Sequence, residues 1–239
     1  MLLARSLFAG VRHRVFKKRQ TVYKKKPCAY CGLTDSPREK GHVIPACMYP
    51  SDTNSRIQRP TVPECSECKK MWQDAENQFR NVMIIAGTPN RAVMEQWDGP
   101  VTRSFKKPSG RKWARALVDQ LVGIENTAEP IYKIYPANNP EVMLVIRKII
   151  RGLCHYHRIA TAVSDNRVWA DILKYQIPPS LKENMKWFQI GPELLEYAYE
   201  ITNDKELNIH SAWYLRFYEQ REFVGFVSMS DDINNFLKA

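Results

Sequence analysis

Two Cys-x-x-Cys pairs, Cys28/Cys31 and Cys65/Cys68, constrain this chain more than any other feature. Each pair presents two thiolates from one tight turn. Two pairs complete the tetrahedral four-sulfur shell that structural zinc prefers. The sequence therefore predicts one zinc ion held by all four cysteines. A saturated shell leaves no open position, so such a zinc is scaffold and not catalyst. The competing arrangement, four buried free thiols, fits the paired spacing poorly. A secreted disulfide framework would need a signal peptide, and the basic N-terminus shows neither a clear apolar stretch nor a cleavage site. Zinc in a reducing compartment is the better fit.

The 33 residues between the pairs leave room for a β-hairpin. Turn residues crowd 27–50, and "HVIP" (42–45) is short and β-branched, fitting a strand that Pro45 ends. The second knuckle runs into a helical pattern over Lys69–Ile85, with Met71, Trp72, Phe79, Val82 and Met83 mostly at helical spacing. Knuckle, hairpin, knuckle and helix suggest a treble-clef or ββα-metal arrangement. Further helices are predicted over 90–97 and 109–123, and a strand at "IYKIY" (131–135). Residues 139–157 predict a strongly amphipathic helix with Val142, Leu144, Val145, Ile149, Ile150 and Leu153 on one face. A short helix is predicted near 168–174. "LLEYAYEI" (194–201), "SAWYLRFY" (211–218) and "EFVGFVSM" (222–229) predict an antiparallel meander. The predicted fold class is α+β, with three parts: a basic arm over 1–26, a zinc module over 27–88, and an α+β domain over 89–239.

The net charge is +11, and it is unevenly placed. Residues 1–26 hold nine Lys/Arg, including Lys24, Lys25 and Lys26, and no acid. A second acid-free cluster comprises Arg103, Lys106, Lys107, Arg111, Lys112 and Arg115. Such clusters attract nucleic acid through counterion release, or they are simply solvated faces. The arm also fits a mitochondrial presequence, being Arg-rich and acid-free with Leu2, Leu3, Leu7, Phe8 and Val11 at roughly helical spacing. No apolar run reaches the roughly 18 residues that a membrane span needs, so no membrane partner is expected.

"CAYCG" (28–32), "GHVIP" (41–45), "TVPECSEC" (61–68) and "DAENQFR" (74–80) together resemble the Cys-x-x-Cys branch of the HNH endonucleases. The likeness covers about residues 27–85. "IRKIIRGL" (146–153) and "SAWYLRFY" (211–218) are similar to segments that follow the nuclease module in uncharacterised bacterial members. The resemblance implies a bacterial or phage cytoplasmic setting and a double-stranded DNA substrate. It implies His42 as general base and one Mg²⁺ or Mn²⁺ that neutralises the scissile phosphate. Glu76 matches an acid common on the module's helix, with Asp74 and Asn77 close by. Three positions depart from the pattern. Gly41 stands where many members carry an acidic metal ligand, with Glu39 two residues back. Lys69 follows the second knuckle where Asn or His is common, and there it could contact phosphate. The family's central Asn has no clear match in "IQRPTVPEC", Asn54 being the nearest.

"CHYH" (154–157) offers Cys-x-x-His spacing, but nothing nearby completes a metal shell, so helix-end packing is expected. The C-terminal aromatics fit sheet faces better than base-stacking platforms. No phosphate-binding Gly-rich loop and no Gly-x-Ser-x-Gly elbow occurs, which gives no support to nucleotide-dependent and α/β-hydrolase functions. Two expectations follow from the sequence. One is an HNH-type endonuclease. The other is a catalytically inactive zinc-stabilised module that binds nucleic acid or a protein, with the C-terminal region as a possible homodimer or partner surface.

Overall fold

The computed structural model describes residues 26–35, 38–50, 57, 59–85, 89–119, 122–123, 133–134 and 139–231. Lys24, Lys25, Asn54 and most of "IYKIY" lie outside them. Strands β1 (Arg38–His42) and β2 (Thr61–Cys65) form an antiparallel pair, with Arg38 opposite Cys65 and His42 opposite Thr61. Pro63 has no amide to donate, which suits a two-stranded ladder. Its carbonyl accepts from the Ala29 amide at 2.9 Å and so ties the first knuckle to β2. Helix α1 (Ser66–Ile85) follows without a linker and buries Trp72, Ala75, Phe79, Val82 and Met83.

Helix α2 (Arg91–Gln96) opens at Asn90, whose side chain accepts from the Val93 amide. It continues into a wide π-type turn over Trp97–Val101 that contains Pro100, then into α3 (Thr102–Lys106) and α4 (Pro108–Asp119). Short strands β3 (Val122–Gly123) and β4 (Lys133–Ile134) pair with each other. Helix α5 (Pro140–Tyr156) is capped by the Asn139 side chain, which accepts from the Glu141 and Val142 amides, and carries proline at its first position.

The chain ends in a five-stranded antiparallel sheet, in order β5-β9-β8-β7-β6. Its strands are β5 (Val168–Ile172), β6 (Lys186–Ile190), β7 (Leu195–Asp204), β8 (Ile209–Phe217) and β9 (Arg221–Ser228), with the short α6 (Pro179–Asn184) before β6. Helix α5 packs on α1 with one side and on β5 and β9 with another. Gly152 lets α5 come close to the first knuckle and the turn after β1: a Cβ there would meet Val43 Cγ1 at 2.9 Å and the Tyr30 hydroxyl at 3.0 Å. One cluster of buried apolar side chains runs from Tyr30 and Phe79 to Phe217 and Phe223. Tyr218 holds the sheet to the region between the knuckles. It accepts a positive φ of 49° in the β8–β9 turn, and its hydroxyl donates to the Met48 carbonyl at 2.8 Å.

The α+β class, the amphipathic α5 and the antiparallel β7–β8–β9 meander match the sequence expectations. Several elements differ. Residues 168–172 are strand β5 and not a helix, since Val168, Trp169 and Ile172 fill the edge beside β9. The first strand ends at His42, and Val43 and Ile44 turn into the core instead of extending it. Pro45 cannot donate to a ladder, and a short 3₁₀ turn over Ala46–Met48 follows. The helix predicted over 109–123 stops at Asp119, because Val122 and Gly123 are taken into a strand pair. Leu144 is only partly buried.

Candidate metal centre and the surroundings of His42

Cys28 and Cys31 sit on one turn that Gly32 closes with a φ of 74°, its amide donating to the Cys28 carbonyl at 2.9 Å. Cys65 is the last residue of β2 and Cys68 lies in the first turn of α1. The Cys68 amide points at the Cys65 sulfur at 3.5 Å. All four sulfurs lie within 4.8 Å of one another, and Cys31 and Cys65 are 3.7 Å apart. A tetrahedral zinc site with bonds of about 2.3 Å has S···S edges of about 3.8 Å, whereas a disulfide needs about 2.0 Å. The donor set fits zinc. The cysteines are free thiols, with Cys28, Cys65 and Cys68 buried and Cys31 exposed. A hydrogen bond with Cys68 holds the Cys28 thiol down, to about 4. Cys68, facing that sulfur, is pushed up, and burial raises Cys31. Packed sulfurs that cannot all ionise together are what a bound dication resolves.

Strand alternation divides the hairpin. Glu39, Gly41, Val62 and Glu64 share one face, and that face lies over α1: Glu39 bonds Lys69 at 2.7 Å, and Glu64 accepts from the Trp72 indole at 2.9 Å. Lys40, His42, Thr61 and Pro63 share the other face. The His42 Nδ1 is buried without a hydrogen-bond partner. Burial holds the His42 pKa below its ordinary value, helped by the charges of Arg59, Lys40, Lys148 and Lys69. The imidazole is thus neutral near pH 7.

The acids near His42 are engaged elsewhere. Glu76 receives the Lys148 ammonium at 2.6 Å, and that ammonium also donates to the His42 carbonyl at 2.7 Å and, more distantly, to the Val43 carbonyl. Lys148 comes from α5 and is 1% exposed. Glu64 is 4% exposed, and burial raises its pKa, opposed by Lys148 and by the Trp72 bond. Gly41 has a steric reason: a Cβ there would lie 2.5 Å from the Glu64 carboxylate. Asp74 is exposed on α1. Among the described residues, the four cysteines are the one group of three or more Cys, His, Asp or Glu placed to hold a metal. A divalent ion beside His42 does not fit this arrangement, because Lys148 already occupies the cationic position at Glu76.

Sequence reasoning missed Lys148, Arg59 and Glu64. Glu64 left a signal: in "TVPEC" it shares a face with Val62, so it demands a buried partner. Lys148 left a fainter one, as a cation set between Val145 and Ile149 on the apolar side of α5. "CHYH" packs a helix end, as expected: His155 Nδ1 bonds the Thr161 carbonyl, His157 bonds the Tyr197 hydroxyl, and Cys154 is buried, its thiol pushed up to about 12. Arg103, Lys106, Lys107, Arg111 and Lys112 are exposed on or beside α3 and α4. Pro108, Arg111, Lys112 and Arg115 line a shallow cavity of about 370 Å³. Lys26 is exposed beside the first knuckle.

No helix among the described residues is long and apolar enough to cross a membrane. Comparison with protein-family models, curated proteins and solved structures gives no match. The fold and site define an α+β protein with antiparallel sheets and a four-cysteine centre that could hold a metal such as zinc.

Proposed function

We propose that this chain is a zinc-stapled, HNH-like nucleic-acid-binding protein whose module carboxylates serve structure. The β1–β2–α1 order, with one cysteine pair before β1 and the other at the β2–α1 junction, supports a ββα-metal arrangement. One observation carries the binding proposal. Lys148 and Lys69 are already paired with Glu76 and Glu39, whereas His42 is neutral and lies in the field of Arg59 and Lys40, cations that favour an anion. A phosphodiester of DNA or RNA is the polyanion that suits them. The exposed cations of α3 and α4 add backbone contacts.

A second function is favoured by the same residue. A neutral imidazole is the protonation state that a general base requires. His42 could then deprotonate a water that attacks a phosphodiester, as in an HNH-type DNA endonuclease. Glu76 has no part in that step, being bound to Lys148.

The test is binding and cleavage on one preparation. Fluorescence anisotropy with short duplex DNA, single-stranded DNA and RNA at low salt should show binding without added divalent ion. Neutralising Arg111, Lys112 and Arg115 together should weaken it for every sequence. Plasmid incubated with Mg²⁺ or Mn²⁺ should remain intact. Nicking that disappears in a folded His42→Ala variant would establish the endonuclease instead. Failure to bind any nucleic acid at low salt refutes both.

A further inference from the structure

A cavity of about 500 Å³ lies where the first knuckle, β2 and the end of α5 meet. Lys26, Thr61, Pro63, His155, Tyr156 and Arg158 are among its walls, and no acidic residue among the described residues lines it. Thr61 and Pro63 are the ladder partners of His42 and Lys40. Opposite residues of an antiparallel pair project from the same face. The cavity therefore belongs to the hairpin face that carries His42.

Arg158 is the informative wall. It follows the last turn of α5 with a φ of 60°. Its amide donates to the His155 carbonyl at 3.0 Å and the next amide, of Ile159, to the Cys154 carbonyl at 2.8 Å. This is the left-handed position of a helix C-cap, where glycine or asparagine is favoured and an arginine is strained. Among the described residues its guanidinium joins none of the ion pairs with an acid. The backbone amides after the helix cover its last carbonyls, so the cavity presents cations. Beside Arg158, the His155 Nδ1 faces the Thr161 carbonyl at 2.6 Å and must be the protonated nitrogen, since a carbonyl only accepts. Tyr156 lines the same cavity and is 37% exposed as a residue.

We propose that this cavity is a nucleotide subsite next to the His42 face. A strand phosphate sits against Arg158, and its base stacks on Tyr156. Stacking on a tyrosine requires an unpaired base, so the subsite takes a single-stranded or splayed nucleotide. The inference rests on the nucleic-acid-binding function and adds to it the place and form of one contact.

The experiment separates the two. Affinity for a fluorescent single-stranded oligonucleotide is measured from low to moderate salt for the wild type, Arg158→Gly, Arg158→Asn, Arg158→Lys and Tyr156→Leu. Glycine and asparagine both relieve the strained backbone, so these variants should melt at or above the wild-type temperature. They should nonetheless bind several-fold more weakly, with a salt slope shallower by roughly one counterion. Arg158→Lys should keep the wild-type slope. Tyr156→Leu should lose roughly tenfold on single strands and little on duplex. Unchanged slope and affinity in Arg158→Gly and Arg158→Asn, with the wild type binding normally, overturn the subsite alone. A wild type that binds no oligonucleotide overturns the function beneath it.

Discussion

Replacing Lys148 by methionine tests whether α5 holds the His42 strand end. The Lys148 side chain is 2% exposed and its ammonium serves Glu76 at 2.6 Å and the His42 carbonyl at 2.7 Å, with the Val43 carbonyl at the edge of range. Methionine keeps most of the apolar stem and removes every donor. Breaking a buried pair by deleting one partner costs about 3–5 kcal/mol, because the remaining charge is left without compensation. Glu76 retains 21% of its side-chain exposure, so water can reach it and the lower end of that range applies, about 3 kcal/mol. Glu76→Gln leaves the ammonium two carbonyls and should cost less, about 2 kcal/mol. The double variant removes both charges, so its loss should fall at least 1 kcal/mol short of the summed single losses. Equilibrium urea unfolding in zinc-containing buffer measures this. Trp72 is a suitable reporter, its ring 5.8 Å from the Lys148 ammonium. Additive losses within about 0.5 kcal/mol, or a Lys148→Met loss below about 1 kcal/mol, would refute the coupling.

Metal analysis of purified protein should find about one zinc per chain, and Cys65→Ser should abolish it. A strong chelator should unfold the hairpin and shift Trp72 emission; a chelated protein with wild-type fluorescence and melting would count against a structural metal. His157 supplies a pH dependence. Burial among Tyr156, Phe188, Tyr197 and Tyr199 lowers its pKa, with Lys186 adding to the effect. Below about pH 6.5 the unfolded chain then binds the proton that the folded chain refuses, so stability falls as pH falls through that window. His157→Phe loses the Tyr197 bond, which lowers stability at pH 7.5, but should flatten the fall toward pH 5.5. Zinc release is common to both proteins, so the difference between their unfolding midpoints isolates His157, and parallel pH curves would exclude it.

What the sequence made legible follows from how local each signal was. The cysteine pairs announce themselves because a four-sulfur shell needs two tight turns and little else. The apolar face of α5 and the alternation of β7, β8 and β9 could be counted along the chain. Residues 168–172 could not, because a five-residue edge strand gains its identity from β9, more than fifty residues later. Glu76 shows the same limit at the site. Its place in "DAENQFR" suggested a metal ligand, but its partner is a lysine 72 residues away. Only the packing of α5 on α1 reveals that the carboxylate is already neutralised. Gly41 looked like a lost ligand, and the structure supplies its reason in the Glu64 side chain that fills the space.

Helix α5 explains why the hairpin needs the rest of the chain. Its apolar side faces the sheet, yet it also carries two buried cations, Lys148 and Arg151. Lys148 caps the His42 carbonyl, at the point where the ladder gives out before Pro45. Arg151 donates to the Tyr30 carbonyl at 2.8 Å, inside the first knuckle, and to the Val163 carbonyl at 2.7 Å. Its charge is balanced by Asp165, which Arg147 also grips. These carbonyls belong to turns, where no strand neighbour can satisfy them, and a buried carbonyl without a donor costs roughly 1–3 kcal/mol. A metal held by the four cysteines would fix the sulfur ends of the knuckles, and α5 fixes the backbone that runs away from them. The position of His42 is therefore set from two sides: by the cysteine centre through Cys65 and the ladder, and by Lys148 through the carbonyl of His42 itself. A ligand that binds on the His42 face meets a side chain whose backbone is already held, so little ordering remains to oppose binding.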